Sequence, residues 1–160
     1  MKKFPYYKQT EAKDCGPTCI KIIAKHYGKL INTQQLRSLS ETTREGSSLM
    51  GLSDAVESIG FKSLGVKLSY KKLLEAPLPC IVHWNKNHYV VLYKIKKDTL
   101  YISDPAHGLI TYTKKEFIQH WIGNNANEDT EEGIALLIEP TPKFYQSEFE
   151  EDEKFGFSFI

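Results

Sequence analysis

The run Q-T-E-A-K-D-C-G-P-T-C, residues 9–19, constrains this chain more than any other stretch. Gly16-Pro17 followed by T-C-I-K-I-I-A-K-H-Y-G reads as a helix. Proline suits a first turn, Ile20, Ile23, Ala24 and Tyr27 make an apolar stripe, and Gly28 ends it. Cys15 therefore falls just ahead of a helix start, where unpaired N–H groups and the positive end of the macrodipole favour a thiolate over a thiol. Gln9, six residues upstream, is a side-chain amide able to donate to an oxyanion forming on a carbonyl that such a thiolate attacks. The pair is half of a thiol hydrolase, and the rest of the chain must supply a base.

With 160 residues, 41% of them hydrophobic and 26% charged, the chain is most simply one soluble domain with a real core. No apolar run approaches the roughly 20 residues that cross a bilayer. The start M-K-K-F-P-Y-Y-K-Q has no apolar stretch of the secretory kind. Three cysteines leave at least one unpaired, which favours a reducing, cytosolic setting. The net charge of +1 hides an asymmetry: residues 148–160 carry five acids and one lysine, and the remainder about +5. The basic residues are scattered, so nucleic-acid binding is not indicated, while an acidic peptide partner fits a mildly basic body.

Along the chain, Thr33 is the expected cap of a short helix ending at Leu39. Ser47 or Ser48 caps a second over L-M-G-L-S-D-A-V-E-S-I, closed by Gly60, and Ser69 a third over Tyr70 to Leu74. After Pro79 the texture turns to strands: Cys80 to Trp84, His88 to Ile95, Leu100 to Ser103, Leu109 to Thr113 and Gly133 to Ile138, with a helix over Lys114 to Trp121. Helices first and antiparallel strands after make an α+β domain. The expected division is a folded domain over residues 1–140 and an acidic tail over 141–160, read either as a linker or as a disordered terminus.

A nucleophilic cysteine needs a base, usually histidine, and a group that orients it. His26 ends the first helix and reads as structural, His120 lies late in a helix, and His107 sits in the turn after Asp104-Pro105-Ala106. That leaves His83, inside an apolar strand, and His88, which opens the strand H-Y-V-V-L-Y at a sheet margin; the pattern favours His88. Asp104 ends the strand L-Y-I-S-D just before Pro105, which cannot continue a ladder. His88 and Asp104 come to the same end of one hairpin, under a condition of register. A two-residue loop at Lys97-Asp98 puts Asp104 on the wrong face, whereas a three-residue loop or a bulge restores the match. One of those two is expected. Taken singly, Asp14 reads as a helix cap, Asp104 as a turn residue and Cys19 as packing. A zinc site from Cys15, Cys19, Cys80 and His83 lacks the paired short spacings of such sites.

Together, Q-T-E-A-K-D-C-G-P-T-C, N-H-Y-V-V-L-Y and I-S-D-P-A-H-G resemble the C39 cysteine peptidases, the N-terminal domains of ABC transporters that export bacteriocins and related peptides. The resemblance runs from about Tyr6 to Ile138. It implies a papain-like fold with N-terminal helices on an antiparallel sheet. It also implies Cys15 as nucleophile, His88 as general base and acid, Asp104 as orienting carboxylate and Gln9 as oxyanion donor. The implied activity is cleavage of precursor peptides after a Gly-Gly pair ending a helical leader, with the leader bound through apolar anchors in a shallow groove. The alternative is a non-catalytic domain that docks leader or cargo. The implied setting is the cytoplasmic side of a bacterial inner membrane, attached to transmembrane and nucleotide-binding regions. No cofactor or metal is expected in this domain, and ATP only in the nucleotide-binding region. On this reading the chain is either an excised domain or a stand-alone relative, with excision favoured; as a fragment it is soluble, and its tail leads toward a membrane domain.

Overall fold

The computed structural model describes residues 3–146. A 3₁₀ turn, Ala12–Asp14, runs directly into α1, Cys15–His26. Cys15 is thus the first residue of the helix and not, as expected, the residue ahead of it. Gly28 follows the helix at φ 103°, a left-handed geometry that suits glycine. In α2, Thr33–Leu39, the cap is Asn32, whose side chain accepts from the Gln35 N–H. Thr33, the expected cap, instead accepts from Lys21 Nζ at 3.1 Å. Ser48 caps α3, Leu49–Ser58, by accepting from the Gly51 N–H, and the neighbouring Ser47 hydroxyl is shared with Thr42 at 2.7 Å.

The strand β1, Phe61–Leu68, was not expected. It carries a glycine in its middle and is half exposed, so its own residues give only a weak strand signal; long-range pairing defines it. Ser69 caps α4, Tyr70–Leu73. Then follow β2, Cys80–Trp84; β3, His88–Lys96; β4, Thr99–Asp104; and β5, Gly108–Thr113. A capping box between Thr113 and Glu116 opens α5, Lys114–Trp121. The chain then makes β6, Gly133–Pro140, and α6, Pro142–Gln146.

The six strands form one antiparallel sheet in the order β1-β6-β2-β3-β4-β5. Helices cover both faces. On one, Ile20, Ile22 and Ile23 of α1, Leu36 of α2 and Leu52 of α3 bury against Ile81, Val91 and Leu136. On the other, Tyr70 of α4 and Phe117 and Trp121 of α5 bury against Val82, Val90 and Ile102. Each fully buried isoleucine contributes about 1.5–3 kcal/mol over an exposed one. The expected boundary at residue 140 falls just before α6, whose Phe144 is fully buried and packs on Phe61 with ring centroids 4.5 Å apart. The acidic run from Glu148 lies outside the described residues.

The β3–β4 hairpin meets the register condition by the second of the two expected devices, a bulge. Its loop is the two-residue Lys97-Asp98, both at positive φ, with Lys96 opposite Thr99. Carried through, that register would put Asp104 on the wrong face. A bulge between Leu92 and Lys94 intervenes, so that Leu92 pairs with Ile102 and Val91 with Ser103. The index sum changes from odd to even, and His88 and Asp104 arrive on the same face.

Candidate active site

Two pieces of chain meet at this site. From the helical side comes Cys15, buried at 4% exposure on the first turn of α1. A Cβ added to the next residue, Gly16, would stand 2.7 Å from Leu52 Cδ2, so glycine is what lets α1 and α3 approach beside the thiol. From the sheet comes His88, the first residue of β3, with its side chain 16% exposed. Its Nε2 donates to Asp104 Oδ1 at 2.8 Å, and the ring is electrostatically coupled to the Cys15 side chain. With Nε2 given to Asp104, Nδ1 is the nitrogen left for the thiol.

Asp104, almost fully buried at the end of β4, is held on both oxygens. Oδ1 also accepts from the Ala106 N–H at 2.8 Å, and Oδ2 accepts from His107 Nδ1 at 3.1 Å. Burial alone would push the carboxyl up, but the bonds from His88, Ala106 and His107 together with the His88 charge hold it below its ordinary value. The converse applies to His88. Burial disfavours its charged form, yet the hydrogen bond to Asp104, the coupling to Cys15 and the charges of both groups outweigh burial and push it up to about 9. An imidazole of that kind is protonated at neutral pH and can stand as the counter-ion of a thiolate. The other two thiols are built differently. Cys19 and Cys80 are wholly buried, and burial pushes Cys80 up to about 12 and Cys19 well above its ordinary range.

The N-terminal segment is tied to the same end of the sheet. The Gln9 N–H donates to Pro105 O at 2.9 Å, Tyr6 Oη donates to the same oxygen at 3.3 Å, and Ser103 Oγ donates to Pro5 O at 2.9 Å. Gln9 thereby lies near both halves of the site, but its side chain departs from expectation. Its Nε2 faces Glu11 O at 3.1 Å and Ala12 O at 3.4 Å, while Oε1 is buried with no hydrogen-bond partner among the described residues. Donation to an oxyanion requires one of the two N–H groups on Nε2 to leave those loop carbonyls.

The remaining histidines lie elsewhere. His83 stands across from Tyr89 on the neighbouring strand, His26 packs on Phe4, and His120 stacks on Trp84 and bonds Asn85 at 2.8 Å. Two contacts escaped the sequence reading. His107 was placed in its turn but not on Asp104, although its position three residues later is a usual reach for a turn side chain. Asp14, expected as a helix cap, makes no side-chain cap bond to α1. It is instead fully buried and paired with Arg37 of α2, a partner 23 residues away that no local signal announces. No group of three or more His, Cys, Asp or Glu among the described residues is placed to hold a metal ion. None of the described helices is long and apolar enough to cross a membrane.

Comparison with known proteins adds an independent line. The sequence model of the Peptidase C39 family matches residues 3–128. The chain is 43% identical, over 89% of its length, to a lactococcin-G-processing and transport ATP-binding protein of Lactococcus lactis subsp. lactis. It is 30% identical, over 92% of its length, to a colicin V secretion/processing ATP-binding protein of Escherichia coli. It spans only 19% and 20% of those two relatives. Among solved structures it resembles a double glycine motif protease from a transporter, in complex with a leader peptide. That likeness has a TM-score of 0.77 at 31% identity, covering 87% of this chain and 93% of the other. It also resembles the peptidase domain of a bifunctional Streptococcus ABC transporter involved in quorum sensing. There the TM-score is 0.72 at 26% identity, with coverage of 87% and 100%.

Proposed function

The chain belongs to the peptidase C39 family, with the papain-like α+β fold of its relatives, and from that premise we propose that it is a cysteine endopeptidase domain which removes leaders from precursor peptides after a Gly-Gly pair. The substrate is a peptide with a helical leader. The setting is a peptide-exporting ABC transporter, on the cytoplasmic side of the membrane. The single observation that carries the reading is His88, bonded to Asp104 at 2.8 Å and electrostatically coupled to the Cys15 side chain.

The reaction is acyl transfer to water. The Cys15 thiolate, with protonated His88 as counter-ion, attacks the carbonyl carbon of the second glycine. Negative charge gathers on the carbonyl oxygen, which the Cys15 backbone N–H and a Gln9 N–H receive. His88 gives its proton to the leaving amine as the C–N bond breaks, leaving a thioester on Cys15. His88 then takes a proton from water, whose oxygen attacks the thioester, and the C–S bond breaks to free the leader and return the thiolate beside protonated His88. Asp104 stays ionised throughout, fixing the imidazole with Nε2–H toward itself and Nδ1 toward sulfur. Held on both oxygens, it has little freedom to turn.

The test is cleavage of a synthetic precursor with a helical leader ending in Gly-Gly. Wild type is expected to cut after the second glycine. Cys15→Ala is expected to abolish cutting while binding the leader with nearly unchanged affinity. Undiminished cleavage by Cys15→Ala would overturn the assignment. Leader binding by a wild type that never cuts would turn the reading to a docking domain.

A further inference from the structure

The residue just before the nucleophile carries a second ion pair, its carboxylate wholly buried and its cation partly exposed. Asp14, at 0% exposure, precedes Cys15 in sequence. Arg37 grips it with two parallel bonds, Nε to Oδ1 at 2.9 Å and Nη2 to Oδ2 at 2.8 Å. The Glu11 N–H adds a third bond to Oδ2 at 3.3 Å, and the Asp14 N–H returns one to Glu11 O at 3.0 Å. That same Glu11 carbonyl accepts from Gln9 Nε2. One short turn, closed by the Arg37 fork, thus carries the nucleophile at one end and the amide donor at the other.

A lone buried carboxylate beside Cys15 would be a poor neighbour. Like charge nearby disfavours a thiolate and works against the helix N-terminus that favours it. A guanidinium fork answers both difficulties, since it is always charged and fits a carboxylate bidentately. The surroundings are otherwise mixed. Lys13 is turned to Glu11 at 3.9 Å, and Glu11 stands 3.9 Å from Arg37 Nη2. Cys15 is faced by His88 and Tyr89 from β3 and by Cys19 from its own helix, while Asp104 approaches through His88.

We propose that Arg37 is a positioning residue for the cleavage reaction: its fork cancels the buried charge of Asp14 beside the nucleophile and holds the turn that joins Gln9 to Cys15. The inference rests on Cys15 being the nucleophile. A merely structural ion pair predicts something else, because a buried pair exchanged for neutral residues is often no less stable.

The test uses Arg37→Met, Arg37→Lys and the double variant Asp14→Asn/Arg37→Met, with Cys15→Ala in parallel. Three quantities are measured: kcat and KM on the Gly-Gly precursor, the rate of Cys15 alkylation by iodoacetamide at pH 6 and pH 9 followed by peptide mass mapping, and the melting temperature. Arg37→Met is expected to slow alkylation about tenfold or more at pH 6 and far less at pH 9, the signature of an uncancelled like charge. Its kcat falls while KM moves little. The double variant recovers the wild-type pH 6 to pH 9 ratio, because the charge is gone, but regains only part of kcat. Arg37→Lys keeps the charge and loses the fork, so it keeps the alkylation ratio with a reduced kcat, and it remains decisive if Arg37→Met fails to fold. Wild-type kcat in Arg37→Lys overturns the fork's role in holding the turn. A wild-type alkylation ratio in folded Arg37→Met overturns the charge role. Cleavage by Cys15→Ala would instead strike the reading of the nucleophile, leaving the two failures distinguishable.

Discussion

Asp14 and Asp104 are both almost wholly buried, both hydrogen-bonded to a cationic partner, and both next to the thiol site, yet the two sides differ in kind. On the helical side the partner is arginine, permanently charged and gripping both oxygens, so the pair is fixed across the working pH range. On the sheet side the partner is a histidine raised to about 9, able to give up its proton and take it back. The difference teaches where a protein of this kind keeps its rigidity and where its reactivity. The turn that carries Cys15 is pinned by a charge that cannot move, and the proton moves only on the strand opposite.

The largest effect that would sharpen this contrast is loss of the mobile proton. His88→Gln is expected to lower kcat for cleavage by on the order of 10²–10⁴, the usual scale for a general acid–base group. The same variant tests the charge by stability. In the wild type the native state keeps the His88 proton where the unfolded chain, with its ordinary value of 6.5, has lost it. Stability from this group is complete below about pH 6.5 and is lost as pH rises through about 9. Thermal melts across that window should therefore fall more steeply for the wild type than for His88→Gln. Parallel melting curves for the two would break the comparison.

Next in size is Gln9, which touches both sides through Pro105 and Glu11. Gln9→Ala is expected to reduce kcat by about 10²–10³ with little change in KM, as for removal of one oxyanion donor. Should kinetics show a change in KM alone, Gln9 would be a loop residue bound to its own carbonyls. The smallest effect belongs to His107, whose side chain is 71% exposed although it bonds Asp104. An exposed contact of this sort contributes little, so His107→Ala should slow cleavage only about two- to fivefold. A loss as great as that of His88→Gln would move His107 into the centre of the sheet side.

How far these two sides were legible beforehand follows the same division. Helix α1, a cap at Ser47 or Ser48, the Ser69 cap and the helix over Lys114 to Trp121 rest on residues within about a turn of one another, and short-range pattern is enough to read them. The cap of α2 was misplaced by one residue because Asn32 and Thr33 are both good caps, and a contact from Lys21 drew the threonine away. β1 was missed because an edge strand with a central glycine takes its identity from β6, more than sixty residues on. His88 and Asp104 could be named as partners from the strand ends, together with the parity that their hairpin must satisfy. Which device satisfied it could not be read, since a two-residue loop with a bulge and a three-residue loop give the same parity.

By itself, then, the sequence determined a thiol at a helix start, a histidine and an aspartate at one end of a hairpin, and an α+β order of elements. These follow from spacing, caps and strand alternation, all of which act over a few residues. Only the tertiary structure decided the bulge at Tyr93, the pairing that makes β1 a strand and the Arg37 fork on Asp14. Each depends on which surfaces pack against one another across the fold, and packing chooses among partners that local chemistry leaves equal.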